Sequence, residues 1–506
     1  MRLGILVGWP NNFASIVANQ STSVSTRYPS ELEISAAGGR YRLCWGAALT
    51  ERCALPIDFQ TDFGMLTVIG VSPLAQDNTC ISGSPCTFDG VVGVQLSVSD
   101  RFLLLDTCGM GSAPSTLGHV SSASSALASG KIVSWGNTAL TAAGGHYRLC
   151  WCAGARHLCD IADQFRTDAG TLTMVGPSPL SQDRTCVTGR VCTFGGLLGV
   201  GLSSSNSLMI LDTCADNALS PRFTDGGLDV SSTAFGTAYS WGSVRVTAGG
   251  GLFRLCWSEG SLGVAGASEP TRLDVGRLTM IGPRPLMQHR TCVSGSTCAF
   301  DGIVGEHLAT NDRYLILDTC GGSHVLARFL GVGSVTEVVT AAIALADLNA
   351  TGGTGSRVTW GAGQVTSAGG RYRLCWCAGP LETAANLTEP DECQRPEGFH
   401  VDVGELSLIG VSPLSQDRTC TSGQMCSLGF VQGKHLSEAD RYVVLQTCGS
   451  RTAVVPRVSE AGSAEVQIGL PLIQWGGIHQ TSAGGRYRLQ LTAKKRGDKL
   501  RDRDPW

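Results

Sequence analysis

The stretch Gly38-Gly39-Arg40-Tyr41-Arg42-Leu43-Cys44-Trp45 decides the fold, because variants of it return four more times along the 506 residues. The alternation of apolar and polar side chains within it is typical of a β-strand. Copies separated by roughly constant spacing predict a tandem array of similar units of about a hundred residues, each closed by this strand. The later copies end at Cys150-Trp151, Cys256-Trp257, Cys375-Trp376 and Leu489-Gln490.

The cysteines recur along the chain with nearly the same spacing as the closing-strand motif. Cys-x5-Cys pairs start at Cys80, Cys186, Cys292 and Cys420, in steps of 106, 106 and 128 residues. A Thr-Cys element follows 28 residues after each of them, and a Trp-Gly element precedes the aromatic residue of each later closing strand by 12 residues. Insertions of 13 and 9 residues account for the one longer step.

The fold class that these patterns predict is all-β, as a tandem array of disulfide-stapled immunoglobulin-like β-sandwich domains. The chain has 66 glycines and only short apolar runs, which favours many short strands joined by turns. The runs predict strands over 66–69, 86–92, 102–108, 132–135 and 147–152. The predicted division is a partial first repeat (1–71, here the leading segment), a first unit (72–177), a second unit (178–283), a third unit with two loop insertions (284–411), a fourth, incomplete unit (412–490) and a charged, disordered tail (491–506).

Four framework cysteines per unit allow three connectivities. We favour one short and one long loop in each unit, because the residues between the paired Cys-x5-Cys cysteines are typical of a turn. A third pair is present or absent as a whole, which a disulfide explains better than zinc, since the units lack histidines at matched positions. The predicted pairs are Cys80–Cys86, Cys108–Cys150, Cys152–Cys159, Cys186–Cys192, Cys214–Cys256, Cys292–Cys298, Cys320–Cys375, Cys377–Cys393 and Cys420–Cys426.

Three of the 21 cysteines remain over: Cys44, Cys53 and Cys448. The partner positions of Cys44 and Cys448 are occupied by Arg2 and Gln490, so the chain is predicted to be a fragment of a longer array, with Cys44–Cys53 as a rescue pair. Glycosylation sequons stand at Asn19, Asn349 and Asn386.

The net charge and the hydropathy of the chain limit the partners and the location that we expect for it. The net charge is −3 and no basic stripe appears, so nucleic acid is not an expected partner. No run of 18 apolar residues is present, so no membrane span is expected within the chain, although an anchor outside the fragment would fit. Cysteine usage indicates an extracellular or cell-surface protein.

Recurring aspartates argue against catalysis, since an enzyme rarely needs four copies of its site, and neither a cofactor nor a metal is expected. We expect these aspartates to accept backbone N–H bonds in turns, with calcium between domains as the alternative. The three sets are Asp62, Asp168, Asp274 and Asp402, then Asp77, Asp183 and Asp417, then Asp106, Asp212 and Asp318. Eight of the ten tryptophans occupy two repeat slots, either as core residues or as a sugar-stacking surface.

The closing-strand motif, together with the stretch from Gly433 to Gly449, resembles repeat arrays in very large predicted surface proteins of dinoflagellates and related alveolates. That resemblance implies an architecture and no defined activity. The leading hypothesis is a non-enzymatic surface protein acting as a stalk or as an adhesion array for an unknown protein or glycan ligand. The alternatives are a carbohydrate-binding array that uses the repeated tryptophans, and an ectodomain fragment of a larger receptor or enzyme.

Overall fold

The computed structural model of the chain describes residues 15–18, 24–27, 34–46, 55–110, 124–127, 131–215, 222–227, 231–233, 236–260, 272–340, 353–380, 391–429, 431–450, 455–466, 472–475, 477 and 479–492. Strands dominate these residues, and the only helical pieces among them are short 3₁₀ turns. These turns are Pro56–Asp58, Ala162–Gln164, Thr224–Gly227, Glu392–Gln394, Pro396–Gly398 and Ser459–Gly462.

Strands recur in the same order from unit to unit. The leading segment contains β1 (Ser15–Ala18), β2 (Val24–Arg27), β3 (Gly39–Trp45), β4 (Thr61–Val68) and β5 (Gly70–Val71). The first unit contains β6 (Asn78–Ile81), β7 (Ser84–Phe88), β8 (Gly93–Val94), β9 (Arg101–Leu105), β10 (Ser124–Leu127), β11 (Ile132–Leu140), β12 (Gly145–Cys152) and β13 (Thr167–Pro177).

The later units repeat this series. The second unit contains β14 (Arg184–Val187), β15 (Thr193–Phe194), β16 (Gly199–Val200), β17 (Ser207–Leu211), β18 (Ser231–Thr233), β19 (Ala238–Ser240), β20 (Gly251–Ser258) and β21 (Leu273–Pro283). The third contains β22 (Arg290–Val293), β23 (Ala299–Glu306), β24 (Arg313–Leu317), β25 (Gly333–Thr340), β26 (Gly353–Thr359), β27 (Gly370–Cys377) and β28 (Val401–Val411). The fourth contains β29 (Ser427–Gly429), β30 (Gly433–Lys434), β31 (Arg441–Leu445), β32 (Ser463–Val466), β33 (Leu472–Gln474) and β34 (Arg488–Thr492).

The first unit shows how the strands enclose a core. Its strand order is β6-β13-β12-β9-β10-β11-β7, antiparallel except for the parallel β6–β13 pair. The two ends of this series, β6 and β7, lie side by side, so the sheet folds over a buried cluster that includes Phe102, Leu149 and Leu172. Such a pair of packed, mostly antiparallel layers is an immunoglobulin-like sandwich, which confirms the predicted fold class. The unit boundaries themselves stay a prediction.

The closing strand has two different faces. In β12, the side chains of Tyr147, Leu149 and Trp151 point into the main core of the first unit. Cys150 and Cys152 point to the opposite face and form a second, smaller cluster with neighbours that include Phe165. The period-two alternation of a strand therefore separates the core from the long disulfide, as the sequence predicts.

Long strands pass through the junctions between units. In β13 the residues up to Met174 pair with β12, and the last two, Gly176 and Pro177, pair with β16 of the second unit. The same arrangement joins β21 to β23 and β28 to β30. At the start of the first unit, the short strand β5, which is separate from β4, pairs with β8. Val187 of the second unit is buried in the main cluster of the third, so neighbouring cores touch.

Among the described residues, the structure shows no helix with the length and apolar character needed to span a membrane.

Candidate functional site

Nine disulfides form the framework of the described units. The structure joins the same nine cysteine pairs that the spacing predicts, with Cα–Cα distances of 5.4–5.9 Å. These distances lie within the usual range for a disulfide. Every short-loop pair connects adjoining segments early in its unit. The strand just before each Thr-Cys element is called the Thr-Cys strand, and these are β9, β17, β24 and β31. Every long-loop pair connects the turn after this strand to the closing strand.

Short and long disulfides stabilise different places. Cys80 and Cys86 are buried in the main core of the first unit, where they hold β6 to β7. Cys108–Cys150 lies in the smaller cluster on the outer face of the closing strand. Together the two bonds hold the start of the unit and the outer face of its closing strand. Disulfides account for these cysteines without a zinc site.

Several predicted residues are left without a partner or lie outside the described residues. Of the described cysteines, Cys44 and Cys448 are free and exposed. Cys53 lies outside the described residues, so the rescue pair with Cys44 stays a prediction. The sequons at Asn19, Asn349 and Asn386 also lie outside the described residues.

A glutamine clamp holds the chain where it enters each unit. In the third unit, Gln288 Nε2 donates to the carbonyl oxygens of Pro285 (2.9 Å) and Val304 (2.7 Å). Gln288 Oε1 accepts from the backbone N–H of Val304 at 2.8 Å, and the backbone N–H of Gln288 donates to Val403. Gln76, Gln182 and Gln416 make the same three side-chain bonds in their own units.

The sequence analysis missed this clamp, although each glutamine stands three residues after a proline near the start of its unit, at Pro73, Pro179, Pro285 and Pro413. This constant spacing between proline and glutamine was the signal that could have identified the clamp. A glutamine is needed because one amide group both donates two bonds and accepts one.

Two of the three aspartates next to the clamp, Asp77 and Asp183, accept hydrogen bonds from the backbone. Asp77 Oδ1 accepts from the N–H of Thr171 at 2.8 Å, and Asp183 Oδ1 accepts from Arg277 at 2.7 Å. His289 occupies the same slot in the third unit, where its Nδ1 accepts from the N–H of Glu405 at 2.9 Å. An imidazole can replace the carboxylate here because the slot requires only an acceptor.

The aspartates of the long strands form ion pairs with the closing strand. Asp402 Oδ2 accepts from Arg373 Nε at 2.8 Å, and its Oδ1 accepts from the N–H of Gly404 at 3.1 Å. The pairs Asp62–Arg42, Asp168–Arg148 and Asp274–Arg254 repeat this contact. These carboxylates are already neutralised by arginine. Within the described ranges no group of three or more potential metal ligands converges, so the structure gives no support to calcium between domains.

The third set of aspartates, Asp106, Asp212 and Asp318, lies exposed at the ends of the Thr-Cys strands.

A buried acid precedes each Thr-Cys strand except in the second unit. Asp312 is almost fully buried and accepts from the backbone N–H groups of Ala309 (2.9 Å) and Gly379 (3.3 Å). Burial raises the pKa of Asp312 to about 6, against the lowering effect of these N–H groups and of the nearby Trp376 and Arg190. Asn206 stands in the same slot of the second unit and accepts from Ser203 at 2.6 Å.

The repeated tryptophans belong to the core. Trp241, Trp257 and Trp376 have no exposed surface, and Trp135 is half-buried against Phe88. The structure buries Trp151, Trp360 and Trp475 as well. A sugar ring needs an open aromatic face, so the alternative of a carbohydrate-binding surface built from these tryptophans is wrong. Trp45, in the leading segment, is the exception, with 48% of its surface exposed.

The junction between the second and third units has polar contacts of its own. Arg245 donates to Glu392 Oε2 at 2.7 Å, and Arg190 donates to the carbonyl oxygens of Ala378 (3.2 Å) and Gly379 (3.3 Å). Beside the ion pair lies an open cleft of about 700 Å³, which is lined mostly by third-unit residues between Asp391 and His400. Burial, together with the charge of Arg245, lowers the pKa of His400 in this cleft. Cationic and anionic side chains alternate around it, so the cleft favours neither charge.

No family model matches the chain, and no curated protein matches it. Among solved structures, the chain is similar to the N-terminal eight Ig domains of Down Syndrome Cell Adhesion Molecule (13% identity, 84% of this chain, 54% of that chain, TM-score 0.17). It is also similar to the fibronectin(III)-like modules of Clostridium thermocellum CbhA (12% identity, 42% of this chain, 94% of that chain, TM-score 0.13). Mouse Protocadherin-24 EC1-3 matches with 9% identity, 67% of this chain, 97% of that chain and a TM-score of 0.15. The chain spans about half the length of the first of these. Likenesses at such TM-scores carry no argument, and the fold class rests on the strands, cores and disulfides described above.

Proposed function

We propose that the chain is a non-enzymatic extracellular or cell-surface protein whose stacked sandwiches act as a stiff spacer, either a stalk or an adhesion array. The observation that carries this proposal is the long strand that runs through each junction. Because β13, β21 and β28 each pair with strands of two successive units, the backbone at a junction is part of a sheet and not a free linker.

The side chains at the junctions support the same role. Gly282 adopts a φ of +150°, and a Cβ there would lie 3.5 Å from the ring of Trp376 and would clash with Thr188. A glycine therefore allows the long strand to pass close to the closing-strand tryptophan of the next unit. The glutamine clamp immediately beyond it fastens the entering segment to its own unit, which leaves few unbonded residues between neighbouring units.

The cysteine framework supports the extracellular location. Disulfides of this number form and persist in oxidising compartments. Alkylation of the native chain without reductant should therefore leave the 18 cysteines of the nine pairs unmodified in mass spectrometry. Free thiols at most of these positions would contradict an extracellular role.

The absence of enzymatic activity is part of the proposal. The recurring aspartates are the best candidates for chemistry. Those of the long strands pair with arginine side chains, Asp77 and Asp183 accept from backbone N–H groups, and the third set lies exposed at the strand ends. The unknown protein or glycan ligand, the ectodomain of a larger receptor or enzyme, and the likeness to alveolate surface arrays stay predictions.

Small-angle X-ray scattering of the full chain tests the spacer role. A stiff array should give the distance distribution of an elongated rod, and the double variant Gln182→Ala/Gln288→Ala should give a shorter and broader distribution, because both clamps are lost. Gln424→Ala, with an exposed side chain outside the clamp, is the matched control and should leave the profile unchanged. A flexible-bead profile for the native chain would reject the stiff spacer.

A further inference from the structure

One end of the disulfide Cys377–Cys393 lies at a backbone segment that the second unit contacts. Arg190 of the second unit donates to the carbonyl oxygens of Ala378 and Gly379, the two residues that follow Cys377. The sulfur of Cys393 lies 2.9 Å from the same Ala378 oxygen, so the disulfide packs directly against this acceptor. The bond therefore limits the positions that these carbonyl groups can take.

The other end of the disulfide lies beside the ion pair between the two units. Glu392, which precedes Cys393, accepts from Arg245 of the second unit at 2.7 Å. Asp391, which precedes Glu392, accepts from the backbone N–H of Cys393 at 3.1 Å and forms an ion pair with Arg313 of its own unit at 3.2 Å. Because Cys393 is fully buried, the bond holds the short turn that carries Glu392 against the third unit.

The two units pack closely at this point. A Cβ atom on Gly189 of the second unit would lie 2.9 Å from the side chain of Val401 in the third unit. A cavity of about 10 Å³ remains beside this contact, which is too small for more than one water molecule. Its lining includes Thr188, Gly189 and Arg190 from the second unit and Trp376, Cys377 and Ala378 from the third. The disulfide is thus part of the contact surface between the units.

The arginines and the disulfide occur together along the chain. In the first and third units, uncharged residues occupy the positions that correspond to Arg190 and Arg245. The second and fourth units, which follow them, have no cysteine at the position that corresponds to Cys377. The uncharged residues are Ser84, Ala139, Ser296 and Gln364, and the residues at the cysteine position are Ser258 and Thr492. Both features are therefore present at the junction between the second and third units and missing at the junctions on either side.

The first unit provides a contrasting copy of the third disulfide. In Cys152–Cys159, the residues on either side of Cys159 are Leu158 and Asp160, and both are exposed. Leu158 has 77% of its surface exposed, whereas Ala378, beside the disulfide of the third unit, has 5%. The same type of bond thus lies in one case at the solvent and in the other beneath a contact between units.

We propose that Cys377–Cys393 stabilises the junction between the second and third units by holding in place the acceptors to which Arg190 and Arg245 donate. The second unit folds with Ser258 at the position of Cys377, so the bond can serve the junction rather than the fold. The junction between the second and third units is then less flexible than the junctions on either side. This inference rests on the proposed spacer role, to which it adds a stiffness that varies along the array.

The test is amide hydrogen exchange of the purified full chain, measured at Thr188, Gly189 and Arg190. These amides are hydrogen-bonded within the second unit, so they report on the junction from the side opposite the disulfide. Cys377→Ser/Cys393→Ser should accelerate their exchange about tenfold, the effect of losing one or two hydrogen bonds to a charged donor. Cys152→Ser/Cys159→Ser is the matched control and should leave these three amides unchanged.

A second variant shows whether the disulfide acts through the arginines. Arg190→Ala/Arg245→Ala should accelerate exchange of the same amides by a similar factor while the disulfide stays intact. Combining it with Cys377→Ser/Cys393→Ser should add little, because both changes remove the same contact.

Three results would overturn the proposal. Unchanged exchange at residues 188–190 in Cys377→Ser/Cys393→Ser would show that the bond does not reach the second unit. Fully additive effects of the two double variants would show that the disulfide and the arginines act independently. Lost protection throughout the closing strand β27 in the cysteine variant would show that the bond serves the fold of its own unit. Each of these would leave the spacer role intact, which the scattering profile of the native chain tests separately.

Discussion

The second and third units share a frame and differ in its details, and the comparison separates what the fold requires from what it tolerates. Both have a fully buried closing-strand tryptophan, a long disulfide and a glutamine clamp. Asn206 in the second unit corresponds to Asp312 in the third, and Ser258 corresponds to Cys377. The frame therefore consists of core, long disulfide and clamp, whereas the third disulfide and the buried charge are additions.

The largest effect should come from the shared core. Trp257→Ala and Trp376→Ala should each lower the free energy of unfolding of their own unit by about 3–5 kcal/mol, because each leaves a large cavity. Hydrogen exchange of the amides in each unit measures this. Trp45→Ala is the control, because Trp45 occupies the same position of the closing strand but is exposed. It should lower the free energy of unfolding far less. Equal losses at all three positions would show that the slot is not a core position.

Removing the additional disulfide should sharpen the comparison. Cys377→Ser/Cys393→Ser should leave the third unit folded but lower its free energy of unfolding by about 3 kcal/mol, the chain-entropy value for a loop of this length. The second unit folds with Ser258 at the first of these positions, so the bond is not needed for the fold. Thermal unfolding followed by circular dichroism would detect the loss. An unfolded third unit at room temperature would contradict the prediction.

Acidity should affect the two units differently. The pKa of Asp312 is raised to about 6 in the folded state, so between its ordinary value and about 6 the folded state binds more protons than the unfolded state. The free energy of unfolding of the third unit should therefore fall as pH rises through this range, by at most about 3 kcal/mol. The whole of this loss should be present at neutral pH.

Asp312→Asn should remove this pH dependence and imitate Asn206, whose unit already lacks the buried acid. The measurement is hydrogen exchange of the third unit at pH 5 and pH 7.5, in the native chain and in Asp312→Asn. An equal pH slope in the native chain and the variant would exclude Asp312 as its source.

The smallest effect should come from the ion pair between the two units. Arg245→Ala should cost under about 1 kcal/mol, because Arg245 and Glu392 are both about one-third exposed and solvent screens their attraction. The measurement is the salt dependence of the unfolding midpoint, which should be weaker in the variant. Arg222→Ala, an exposed arginine of the same unit, provides the comparison. A loss of several kcal/mol would mean that the arginine also supports the packing of the junction.

The sequence predicted features that depend on local periodicity or on constant spacing. Strand β12 and its two faces follow from the alternation in Tyr147–Cys152, and the sandwich follows from short apolar runs between turn signals. The predicted strand over 86–92 ends earlier, at Phe88, because Asp89-Gly90 turns the chain. Conformational freedom of glycine at a positive φ explains that end.

Contacts distant in sequence were harder to predict. The clamp joins Gln288 to Val304 and Val403, and no periodicity within a single strand connects these residues. The tryptophans illustrate the opposite difficulty: their spacing was evident, yet spacing alone could not decide between a core position and an exposed one. Only the packing of the closing strand against the next strands settles that choice.

The long disulfides also set how far the array can lengthen under tension. A force applied along the chain acts first on the residues outside the loops, because a covalent bond carries the load past everything enclosed by it. Cys108–Cys150 thus withholds about 140 Å of contour length from stretching, and Cys320–Cys375 withholds more. Each such unit can unfold only in part before its long disulfide carries the force. The maximum extension of an oxidised array is therefore limited.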